Sequence, residues 1–109
     1  MTRDEFFTEL DRIKGLFHWF LDKRGRIRAY RGTSSKRKTG FCYCPVTAVA
    51  KTLTGKSFHT SQWLKAADVI ELEWYRGSIT IVYAADKMNC HNPDLRQELF
   101  MRVGLAKRK

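Results

Sequence analysis

A chain of 109 residues has the length of one domain and leaves no room for two independent cores. With 43% hydrophobic and 13% aromatic residues it is too apolar for an intrinsically disordered segment. No run approaches the roughly 20 apolar residues of a membrane-spanning helix, and the opening Met1-Thr2-Arg3-Asp4-Glu5 lacks the apolar stretch of a signal peptide, so a cytoplasmic protein is expected.

The chain opens on a helix signal. Thr2 can cap a first turn while Glu5, three positions on, reaches back as a capping box. Phe6, Phe7, Leu10 and Ile13 follow at helical spacing, and Gly15 is the expected left-handed stop. The pattern then changes. Trp19-Phe20-Leu21, the turn Asp22-Lys23-Arg24-Gly25, and Arg26-Ile27-Arg28-Ala29-Tyr30 predict a hairpin whose second strand alternates arginine with smaller or apolar residues. One face is expected to be cationic and the other to pack inward. Residues 32–40 contain nothing that could enter a core and are expected to form a solvated, mobile loop.

Pro45 can occupy the first position of a helix marked by Val46, Val49, Ala50 and Leu53 and stopped near Gly55. A further helix is expected to begin with Thr60 or Ser61 as cap and to run through Trp63, Leu64, Ala67, Ile70 and Trp74 toward Gly77. Residues 78–87 are β-branched enough for a strand, but the spacing of Ile79, Val82 and Tyr83 favours a helix. Asn92, Pro93, the face Leu95, Leu99 and Val103, and Gly104 delimit the last helix. The expected fold is therefore mainly α (α+β), a small helical domain of four to five helices with one short basic β-hairpin. It is organised as one domain over residues 1–109. Its parts are a basic hairpin and loop over 19–40, a helical pair over 45–75, a C-terminal helix over 93–103 and a basic tail over 105–109.

The net charge of +10 is concentrated. Residues 1–22 carry three basic and five acidic side chains, whereas residues 23–38 carry eight basic ones (Lys23, Arg24, Arg26, Arg28, Arg31, Lys36, Arg37 and Lys38) and no acid. Such a local field attracts phosphate polymers, because neutralised phosphates release condensed counterions. Tyr30, Phe41 and Tyr43 lie beside these arginines, where an exposed ring could stack on a base. An acidic protein surface or protein complex is the alternative partner.

Residues 45–64, with Ala50 for close packing, Gly55 at the turn and a polar second segment, are similar to the helix-turn-helix of DNA-binding proteins. The resemblance implies that Lys56, Thr60, Ser61, Gln62 and Lys65, with Ser57 and His59, face nucleic acid, and that Gln62 can pair with adenine. An ordinary helical hairpin with Val49, Leu53, Trp63 and Leu64 as core is the other reading of the same residues.

Cys42, Cys44, Cys90 and His91, with His59 in reserve, suffice in number for one zinc ion. However, the C-x-C and C-H spacings are tighter than the usual C-x₂₋₄-C chelate, so packing as small apolar side chains is the favoured reading and no cofactor is expected. There is no phosphate-cradling glycine loop, no H-E-x-x-H, and no motif that fixes a cysteine beside a histidine, so an enzyme is not expected. The sequence points to a non-enzymatic nucleic-acid-binding domain. The alternative is a small interaction or inhibitor protein, for example a phage-encoded factor blocking a host defence complex.

Overall fold

The computed structural model describes residues 1–32, 42–72, 81–82, 84–86 and 93–105. Helix α1 spans Arg3–Ile13 and begins with the expected capping box: the Thr2 hydroxyl accepts from the Glu5 amide at 3.0 Å, and the Glu5 carboxylate accepts from the Thr2 amide at 2.7 Å. Phe6, Phe7, Leu10 and Ile13 are its buried stripe. Each such side chain contributes roughly 1.5–3 kcal/mol when removed from water. The helix does not stop on a left-handed Gly15. It tightens into a 3₁₀ turn over Lys14–Leu16 in which Gly15 keeps an ordinary negative φ, and chain direction changes at the extended Phe17.

Strands β1 (Phe17–Leu21) and β2 (Ile27–Arg31) pair antiparallel with Phe17 opposite Arg31, Trp19 opposite Ala29 and Leu21 opposite Ile27. The hairpin forms where it is expected, with β1 beginning two residues earlier than Trp19 and β2 running one residue past Tyr30. On the far edge of β2, Tyr43 exchanges both backbone hydrogen bonds with Ala29, at 2.8 and 2.9 Å, and so adds a one-residue third strand.

Helix α2 (Pro45–Thr54) starts at the proline, and Gly55 ends it with φ of 79°. Its N-terminus is closed by Thr47, whose buried hydroxyl accepts from the Cys44 amide at 2.9 Å. A 3₁₀ turn over Thr60–Gln62 leads into α3 (Trp63–Val69). That helix ends well short of the expected reach toward Gly77, because Glu71 adopts φ of 52°. The Leu72 amide then donates to the Ala67 carbonyl and the Glu71 amide to the Asp68 carbonyl, both at 3.0 Å. These are the two bonds of a Schellman motif. Trp74 and Gly77 lie outside the described residues.

Residues 81, 82 and 84–86 are helical and belong to α4, in line with the helical reading of that stretch, while 78–80, 83 and 87 lie outside the described residues. Helix α5 (Pro93–Val103) buries Leu95, Leu99, Phe100 and Val103. It ends in a second Schellman motif on Gly104 at φ of 83°, with Leu105 donating to Phe100 and Gly104 to Met101. The expected cap Asn92 and the tail 106–109 lie outside the described residues.

The fold is thus mainly α with one small antiparallel hairpin. α1 packs on α2 and α5, α2 packs on α3 and β2, and a single apolar cluster joins them. Among the described residues no helix is long and apolar enough to cross a membrane.

Candidate nucleic-acid interface

The hairpin has two unlike faces, and the alternation of β1 explains both. Phe17 and Trp19 point into the core, where Phe17 meets Trp19 at 5.7 Å and Tyr43 at 5.3 Å between ring centroids. The Trp19 indole donates to the Lys14 carbonyl at 3.0 Å and so fixes the strand to the turn before it. Tyr43, expected beside the arginines as a possible exposed ring, is instead buried, with its hydroxyl 3.2 Å from Ser57 Oγ. Its bridge to Ala29 places its ring on the inward face.

The opposite face, expected to be a cationic stripe, is mostly aromatic. Half-buried His18, Phe20 and Tyr30 form one cluster, with Phe20 4.7 Å from Tyr30 and 6.2 Å from His18. The stripe is broken because Arg28, expected to contact phosphates, is buried. Its guanidinium pairs with Asp86 at 2.8 Å and donates to the Ile27 carbonyl at 2.9 Å. A charge taken out of water needs such a partner. His18 and Phe20 do not stand out as site residues in the sequence, although the run Phe17-His18-Trp19-Phe20-Leu21 is apolar at positions of both parities, a signal that both faces carry rings.

The cations that reach solvent lie at the two ends of the hairpin. At the turn, Asp22 accepts from the amides of Arg24 and Arg26, each at 2.9 Å, and from Arg26 Nε at 2.7 Å. Burial pushes its carboxyl up, but these hydrogen bonds prevail and hold it below its usual range. With Asp22 engaged in this way, Lys23 and Arg24 are exposed and enter no ion pair among the described residues. At the open end, exposed Arg31 lies over the Phe17 ring at 5.6 Å. Lys36, Arg37 and Lys38, and with them all of the expected loop over 32–40 except Gly32, lie outside the described residues.

In the helical pair, α2 packs on α3. Residues 55–59 and then the 3₁₀ turn separate them, a longer connection than the 3–4-residue turn of helix-turn-helix proteins. Ala50 is buried, as close packing requires. Lys56, Ser61, Gln62 and Lys65 are exposed and Thr60 is half-buried. The polar ends near the turn are partly occupied: Gln62 Oε1 accepts from the His59 amide at 3.1 Å, and Ser61 Oγ lies 2.9 Å from His59 Nδ1. Bidentate pairing of Gln62 with adenine needs that same oxygen. Val49 is core and Trp63 half-buried, but Leu53 and Leu64 are 44% and 39% exposed, so the apolar contact between the helices does not run through them.

Cys44 is buried, and Thr47 Oγ1 lies 3.6 Å from its sulfur. Burial pushes the Cys44 thiol up, against the lowering effect of the Thr47 hydrogen bonds and of nearby Arg28. Cys42 is half-buried, and Cys90 and His91 lie outside the described residues. Among the described residues, no three of histidine, cysteine, aspartate and glutamate come together as metal ligands.

Comparison with known proteins gives no relative: no family model, no curated protein and no solved structure matches this chain.

Proposed function

We propose that the protein is a non-enzymatic nucleic-acid-binding domain that holds backbone phosphates with the ends of its hairpin. The observation that carries this reading is the turn. The one carboxylate there, Asp22, is engaged by Arg26 and two backbone amides, so Lys23 and Arg24 present their charge to solvent. Arg31 adds a cation at the opposite end, and exposed Lys56 and Lys65 extend positive charge onto the helical pair. Arg28 is a structural residue in this reading, because its guanidinium is neutralised inside the protein.

The test is the salt dependence of binding to labelled oligonucleotides, for the wild type and for Lys23→Gln, Arg24→Gln and Arg31→Gln combined. For every phosphate that the protein no longer neutralises, the slope of log affinity against log salt becomes shallower by roughly 0.7–0.9. The triple variant is expected to bind weakly and to flatten the slope by roughly two to three. Unchanged affinity and slope in that variant would refute the assignment.

A further inference from the structure

Resting on the nucleic-acid reading above, we infer that the strand bound is single, and that Phe20, Tyr30 and His18 are the surface on which its bases stack. The inward face of the sheet is core, with Phe17, Trp19, Ile27, Ala29 and Tyr43 all buried. One residue away along each strand, His18, Phe20 and Tyr30 point the other way, and none of the three is buried. They touch one another, with the His18 and Phe20 planes 21° apart and those of Phe20 and Tyr30 40° apart. Arg28, opposite Phe20 on this same face, is covered through its pair with Asp86, so α4 closes that part of the face and the three rings form the part that reaches solvent. Here neighbouring rings keep part of their surface in solvent, where stacking a further flat group on them is favourable.

The charge around the rings selects the partner. Lys23 and Arg24 lie exposed beyond the turn end of the row, and exposed Arg31 stands at the open end, with its guanidinium on the Phe17 side of the sheet. A ligand that fits must combine negative charge along its length with flat apolar groups between the charges. Single-stranded DNA and RNA have that chemistry. In a duplex the faces of the bases are already covered by their neighbours and only their edges are offered. Reading edges takes polar donors and acceptors, which Phe20 cannot supply.

The experiment is fluorescence anisotropy with labelled oligo(dT), oligo(U) and a DNA duplex of equal length at one fixed salt concentration. Wild type is compared with Phe20→Leu, Tyr30→Leu and Tyr30→Phe, and thermal melts by circular dichroism report whether each variant is folded. Single strands are expected to bind at least about ten-fold more tightly than duplex. Each leucine variant is expected to lose about ten-fold on single strands and nothing on duplex, while Tyr30→Phe keeps its affinity. The tighter of the two single strands identifies the source. If Phe20→Leu unfolds, the comparison of Tyr30→Leu with Tyr30→Phe carries the test alone. Equal binding of single strands and duplex, or leucine variants that bind as wild type does, would overturn the stacking surface and leave the phosphate contacts standing. Absence of binding to all three oligonucleotides would overturn both.

Discussion

Arg28 and Asp86 stand 58 positions apart in sequence, yet their side chains meet at 2.8 Å with the guanidinium only 7% exposed. The pair ties the middle of β2 to α4. It also withdraws one of the eight cations of residues 23–38 from solvent, so the charged stretch is less uniform in space than in sequence.

Removing Asp86 leaves the Arg28 charge buried. Asp86→Ala is expected to lower stability by about 3 kcal/mol in urea unfolding, because the Arg28 guanidinium loses its counter-ion. The double variant Arg28→Met, Asp86→Leu is expected to recover most of that loss. A double variant no more stable than Asp86→Ala would count against the pair as the cause.

Arg96 holds the hairpin turn from the other side. It donates to the Gly25 carbonyl at 2.6 Å and to the Ala84 carbonyl at 2.7 Å, and it lies over the Phe100 ring at 4.7 Å. Arg96→Ala removes the donor to both carbonyls together with the contact over Phe100 and is expected to cost about 2–3 kcal/mol by thermal or urea unfolding. Arg96→Lys recovers little, since an ammonium lacks the planar fork that reaches two carbonyls at once.

The two Schellman motifs carry different residues at the left-handed position. Gly104 takes the left-handed position without steric cost, whereas Glu71 takes it at φ of 52° with a side chain attached. Glu71→Gly is therefore expected to raise stability by about 0.5–1 kcal/mol, read as an increase in the urea midpoint at constant m-value. Gly104→Ala is expected to shift the midpoint the opposite way.

Asp22 gives the hairpin a pH dependence. Its carboxyl is held below its usual 3.8 in the folded chain. Its contribution is complete at pH values above that of the unfolded chain and is lost as pH falls through the lower folded value. The stability difference between wild type and Asp22→Asn should be largest near neutrality and shrink toward zero at the acid end. A difference independent of pH would mean that the Asp22 side chain acts through shape alone.

Cys44 is expected to be inert. Its thiol is buried and pushed up, so little thiolate forms and a reagent has no path to it. Iodoacetamide followed by peptide mass spectrometry should find Cys44 unmodified in the folded protein and alkylated in urea. Rapid modification under native conditions would contradict this.

The local features of the fold were legible because their chemistry lies within a few residues. Thr2 and Glu5 form the capping box they spell, Pro45 opens α2, and Gly55 and Gly104 end their helices at positive φ. The stop of α3 was not legible, since a glutamate occupies the place where glycine is expected and the apolar spacing continues past it to Trp74. Gly15 misled in the opposite sense, because a glycine also fits inside a 3₁₀ turn. At the candidate site, the hairpin and its turn cations could be read from sequence. The inward position of Arg28 depends on a carboxylate 58 residues away, and no local pattern encodes that.

Arg96 reaches back 71 positions to Gly25, and Arg102 reaches back 91 to Asp11 at 2.6 Å. During synthesis at roughly 5–20 residues per second, α1 and the hairpin are made seconds before α5, the helix that clamps them. Until then the carbonyl of Gly25 awaits its donor, and the apolar stripe of α1 has α2 but not α5 to pack on. Contacts of such long sequence separation carry the entropy cost of closing a long loop before they stabilise anything. In that interval, without its clamp, the aromatic hairpin is most open to a wrong contact.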